Sequence, residues 1–147
     1  MKNEQFTAVN IIVLGNSTVG KSALHRRYAN GEFITEFYSS LPVDFRQRFI
    51  DFDTEEEKPV SESLNQSSST IRKNADHKRV RATFWDPPGS EKSAAFIFYY
   101  FKLAHGILLI YDITNRRSFE DLAIWVNEIK ENADTAKITV IGNKSDL

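Results

Sequence analysis

Three short stretches hold residues whose types and spacing can do chemistry. Gly15-Asn-Ser-Thr-Val-Gly20-Lys21-Ser22 fits the pattern G-x-x-x-x-G-K-[ST]. Its glycines permit backbone angles that aim successive N–H groups at phosphate oxygens, and a following helix adds the positive end of its dipole. In that setting Lys21 reaches the β- and γ-phosphates, as binding and candidate catalytic cation, and the Ser22 hydroxyl ligates Mg²⁺. Gly15, Asn16, Ser17, Thr18, Val19, Gly20, Lys21, Ser22 and Ala23 are therefore the candidate phosphate-binding residues. Alone, the pattern specifies a nucleoside triphosphate and magnesium but no base.

The base is read further on. In Asn143-Lys144-Ser145-Asp146 the Asn143 amide suits the N7 and O6 acceptors of guanine. The acceptor-only carboxylate of Asp146 suits the paired donors at guanine N1 and N2. Adenine lacks that donor pair and would leave the carboxylate unpaired. Asp86-Pro87-Pro88-Gly89 is the third stretch, placed after an apolar alternation.

The elements that must position these residues alternate between two periods. Ile11 to Leu14 is an apolar run ended by Gly15, a buried strand entering a glycine loop. Leu24 and Tyr28 share a helical face after Lys21, and Gly31 supplies a stop. Val43, Phe45 and Phe49 form one half-exposed strand and Val80, Ala82 and Phe84 another, with no helix pattern between them, so the two should pair antiparallel. Gly106 to Tyr111 and Ile138 to Ile141 read as buried strands. Ser118-Phe-Glu-Asp121 reads as a capping box heading a helix that carries Phe119, Leu122, Val126 and Ile129 on one face. The order predicts one α/β domain over 1–147 with a mostly parallel sheet.

Residues 54–74 break the pattern: acidic, then serine-rich, then basic, with almost no apolar side chains. They read as a flexible hairpin insert, solvated or regulatory. Composition excludes other classes. Net charge is −1, which leaves no electrostatic footprint for nucleic acid. There is no cysteine to form a disulfide, ligate zinc or accept a lipid, and no apolar run approaches the ~18 residues that cross a bilayer. The expected location is cytoplasmic.

Taken in order, these three stretches resemble a Ras superfamily small GTPase. Trp85-Asp86, Tyr100-Phe-Lys-Leu-Ala-His-Gly106, Ile110-Tyr-Asp-Ile-Thr114, Ser118-Phe119 and Trp125 look like its Rab branch. The resemblance covers nearly everything outside the insert. It implies a P-loop three-layer fold lacking the final strand and helix, whose loss would expose apolar surface. It also implies bound GTP or GDP with Mg²⁺. By position, Phe33 lies against the guanine, or is an ordinary core phenylalanine. Ser40 and Asp86 join Ser22 around the metal, and the Gly89 N–H senses the γ-phosphate. Phe45, Trp85 and Tyr100 match the aromatic cluster offered to effectors, or are simply core; exchange factors and GTPase-activating proteins would meet the switch regions. His25 and His105 are assigned to structure.

Several residues depart from that family's pattern. Ser40-Leu41-Pro42 replaces threonine-isoleucine-glycine, and Pro87 and Pro88 stiffen the turn before Gly89 by fixing φ. Ser90 stands where a glutamine orients the attacking water and is two heavy atoms too short to reach it. The expectation is a GDP/GTP switch in vesicle-mediated traffic with weak GTP hydrolysis. The alternatives are a pseudo-GTPase that keeps the fold without productive cycling, and, sharing only the phosphate loop, a P-loop kinase or ATPase.

Overall fold

The computed structural model describes residues 6–31, 33, 44–54, 76–87, 94–133 and 135–147. Their elements are β1 (Thr7–Leu14), α1 (Lys21–Asn30), β2 (Asp44–Thr54), β3 (Asp76–Asp86), α2 (Ala94–Phe101), β4 (Gly106–Asp112), α3 (Arg116–Glu120), α4 (Leu122–Asn132) and β5 (Lys137–Asn143). The five strands form one sheet in the order β2-β3-β1-β4-β5. β1 pairs in parallel with β3 and β4, and β4 in parallel with β5. β2 and β3 run antiparallel from Asp44↔Asp86 to Thr54↔Asp76, as the lack of a helix pattern between them predicts.

Period-two alternation on β1 and β4 divides the core between the two faces of the sheet. Ile12, Leu14, Ile107 and Leu109 pack with Tyr100 and Phe101 of α2 and Ile129 of α4. Val13 and Ile110 pack with Val19 and with Leu24 of α1 on the other side. The result is the three-layer arrangement expected of continuous apolar strands covered twice. Gly31 ends α1 in the left-handed region at φ 74°, its N–H bonded to the Arg27 carbonyl at 2.9 Å.

Three sequence expectations need correction. Ser118 does not cap a helix: Asn115 is the cap of α3, and the Ser118 hydroxyl instead ties to the backbone of Asp112 at 3.0 and 3.1 Å. The helical run also breaks at Asp121, which turns Phe119 outward to stack edge-on against Tyr111 with centroids 5.3 Å apart. β5 is not a buried strand, since Val140 is 52% exposed and Ile138 37%. Among the described residues its only sheet neighbour is β4. Helix α2, AAFIFYYF, carries no polar alternation and was not foreseen. Nearly all of the 54–74 insert lies outside the described residues.

Candidate functional site

The phosphate loop leaves β1 at Leu14 and enters α1 at Lys21, so a fixed strand and a fixed helix hold its two ends. Gly15, Thr18 and Gly20 all have left-handed backbone, at φ 137°, 67° and 98°. A Cβ on Gly15 would collide with the Ile110 carbonyl of β4, and one on Gly20 with the Asn143 side-chain amide. Each glycine is thus required twice, by its φ and by its neighbour. Thr18 has no such freedom, and a β-branched residue in this region carries strain on the order of 1–3 kcal/mol.

Lys21 is only 7% exposed. Its ammonium donates to the carbonyls of Gly15 at 2.9 Å and Asn16 at 2.6 Å, which folds the loop around the cation. Burial lowers its pKa from 10.5, while the nearby Asp86 carboxylate pulls the other way. Asp86 ends β3 and is buried in turn; burial raises its pKa above 3.8, against a hydrogen bond from the Ser22 hydroxyl and the charges of His25 and Lys21. Its Oδ1 is buried with no hydrogen-bond partner among the described residues. A buried carboxylate oxygen left unpaired beside a hydroxyl, under a loop shaped for phosphates, fits a divalent cation. Among the described residues no three His, Asp or Glu side chains could hold a metal by themselves. Mg²⁺ keeps much of its shell in water and phosphate oxygens, so the fit rests on Ser22 and Asp86 themselves. Ser22 would ligate it and Asp86 would fix its charge and orientation.

The base-reading segment is tied to the loop directly. Asn143, the last residue of β5, donates its side-chain amide to the Val19 carbonyl at 2.8 Å. Lys144 follows at φ 64°, and its ammonium lies 2.7 Å from Asp112 Oδ2. Asp112 Oδ1 accepts from the Thr114 N–H at 2.9 Å and hydroxyl at 2.7 Å. Together, Lys144 foremost, these hold the Asp112 carboxyl down at about 2. Asp146 is exposed, with its carboxylate free to accept from a base. The role of Asp112 as anchor for Lys144 was missed in the sequence, where it was only one letter of Tyr111-Asp-Ile-Thr114.

That anchor has a pH signature. A carboxyl depressed from 3.8 to about 2 stabilises the fold above 3.8 and loses that contribution as pH falls toward 2. Lys144→Met removes the largest cause and is expected to raise the Asp112 value by about one unit or more. A carboxyl-carbon NMR titration of the two chains measures it; an unmoved midpoint would refute the assignment.

Other candidates fall as follows. Ser17 and Thr18 are exposed at the loop's tip and Ala23 is half-buried in α1. Phe33 is 69% exposed, so it is no core residue. Ser40, Pro88, Gly89 and Ser90 lie outside the described residues. Phe45, Trp85 and Tyr100 do come together, with centroids 5.2 and 5.1 Å apart, Phe45 exposed and Tyr100 buried. His105 is built into the fold: its Nδ1 accepts from the Asn10 N–H at 3.1 Å, and its own N–H donates to the Asn10 carbonyl at 2.9 Å. His25 is buried 3.9 Å from Asp44, and burial lowers its pKa despite Asp86 and Asp44 nearby.

A parallel-centred α/β sheet with a lysine-bearing phosphate loop at one strand end and an Asn-Lys-x-Asp reader bonded to it defines a P-loop protein of the small GTPase class. The Ras family model matches residues 10–62 and 60–147, and the chain belongs to the Ras superfamily in its Rab-like branch. Among its relatives, the Ras-related protein RAB1BV of Beta vulgaris is 30% identical over 140 residues, 95% of this chain and 54% of that protein. The Ras-related protein RABA4a of Arabidopsis thaliana is 33% identical over 138 residues, 93% and 51%. The Ras-related protein Rab-8B of Dictyostelium discoideum is 30% identical over 140 residues, 95% and 58%. The chain spans about half the length of the curated relatives it matches.

Proposed function

We propose that this protein binds GDP and GTP with Mg²⁺ and acts as a molecular switch in vesicle-mediated membrane traffic, with weak GTP hydrolysis. The observation that carries this reading is the Asn143 amide on the Val19 carbonyl, which sets the base reader against the phosphate loop. A nucleotide spanning the two would meet N–H groups, Lys21 and Ser22 at its phosphates and Asn143 and Asp146 at its base. Effectors and regulators would dock on Phe45, Trp85 and Tyr100 beside the switches. The proposed setting is the cytoplasm at endomembrane surfaces; no described helix is long and apolar enough to cross a membrane. The 147 residues contain no cysteine.

Titration of the full chain with a fluorescent GDP analogue in Mg²⁺ tests the reading. Saturable binding displaced by GTP and not by ATP is expected; a folded chain that binds neither would leave the pseudo-GTPase. That second reading rests on Ser90 and Pro87-Pro88. Single-turnover hydrolysis separates the two in a chain that binds, since Ser90 cannot orient a water as glutamine does.

A further inference from the structure

Asn16, the second residue of the phosphate loop, has both ends of its side-chain amide held by a helix more than a hundred positions away. Nδ2 donates to Asp121 Oδ2 at 2.6 Å, and Oδ1 accepts from the Trp125 indole N–H at 2.9 Å. Asp121 and Trp125 stand four residues apart at the head of α4, one helical turn, so they present to the same side. Trp125 also packs against the core cluster built on Ile12, Leu14 and Ile129, which fixes one jaw to the rigid interior. Asp121 occupies the cap position of α4 and makes no cap hydrogen bond there. Its carboxylate goes to Asn16 and, at 3.8 Å, to Arg117.

Two residues beyond Asn16 is Thr18, a β-branched residue at φ 67°. Strain of this kind persists only where the surroundings over-determine the backbone. Lys21 does part of that by gripping the Gly15 and Asn16 carbonyls, yet Lys21 is also the group a phosphate engages. The clamp on the Asn16 side chain needs no ligand. We infer that Asp121 and Trp125 are positioning residues which, through Asn16, hold the phosphate loop in its binding shape against the strain at Thr18. This rests on the nucleotide reading above, in which neither residue is assigned to the nucleotide. The clamp therefore sets how slowly nucleotide leaves.

Exchange of the two partners tests it on the full chain. Asn16→Asp alone places two carboxylates where one hydrogen bond stood, and is expected to speed GDP dissociation about 10-fold. Adding Asp121→Asn reverses donor and acceptor, restores the bond, and leaves the Trp125 N–H an acceptor; dissociation should return to within about 2-fold of the original. With Thr18→Gly the strain is gone, and Asn16→Asp should then cost less than about 3-fold. Rescue of the urea midpoint without rescue of the GDP dissociation rate would mark the pair as merely structural and overturn the clamp. The same variants read without nucleotide, by urea midpoint, should show the same loss and rescue. Rescue of the midpoint in a chain that takes up no GDP supports the clamp and sinks only the nucleotide reading. An Asn16→Asp chain indistinguishable from the original, or a double variant no better than the single, overturns the clamp.

Discussion

Asp86→Asn is expected to lower GDP affinity in Mg²⁺ about 100-fold, the upper end for losing a group that orients a metal's shell. The same substitution is expected to raise the urea midpoint of the nucleotide-free chain at pH 7. Both follow from one observation: a carboxylate placed at the end of β3, buried, with Oδ1 lacking a hydrogen-bond partner among the described residues. Burial raises the Asp86 pKa above 3.8, so the fold favours the neutral form. A raised carboxyl contributes stability that is whole below 3.8 and is lost as pH rises through its folded value. Asparagine keeps the size and an acceptor for the Ser22 hydroxyl without that loss. The stability gap between the two chains should therefore widen from acid to neutral pH. Chelation of Mg²⁺ is the internal control, since without the cation the two chains should bind GDP alike. A variant that loses affinity equally in EDTA would show that Asp86 acts on the loop and not on a metal.

This conflict between stability and binding is visible in the sequence only as a motif. The pattern at 15–22 is legible because its chemistry is local: the glycines, lysine and serine act within one turn of backbone. Asn143 and Asp146 can be proposed as base readers for the same reason, since guanine presents a fixed row of donors and acceptors. What stayed hidden depends on pairs far apart in the chain. Asn16 with Asp121 and Trp125, and Lys144 with Asp112, are ordinary polar residues until the sheet brings β1, β4 and β5 together. Ser118 misled because a hydroxyl before an acidic pair can cap a helix or tie a loop, and here the Asp112 backbone lay within reach. β5 misled because an apolar run reports what a strand can bury, while the cover depends on neighbours. Helix α2 was lost for the opposite reason, since a stretch apolar on every side has no period to read.

Asp146→Asn should change which purine the site takes. In the proposed site the carboxylate would accept from N1–H and the N2 amine of guanine, two charge-assisted bonds of about 1.5–3 kcal/mol each, so their loss is expected to weaken GDP by about 10²- to 10⁴-fold. Xanthine has a carbonyl where guanine has the amine, and an asparagine amide can donate to it. The variant should bind xanthosine diphosphate better than GDP, reversing the order in the original chain. Asp146 is the right residue to vary because it is exposed and lies in a turn. Asn143 would not give so clean a result. Its amide holds the Val19 carbonyl and lies where a Cβ on Gly20 would fall, so Asn143→Ala would loosen the phosphate loop as well as the base contact. That variant should weaken every nucleotide, and lower the urea midpoint by removing a partner from the buried Val19 carbonyl. Competition between GDP and xanthosine diphosphate on both variants separates the two roles. If Asp146→Asn lowers both nucleotides equally, the segment at 143–146 does not read the base.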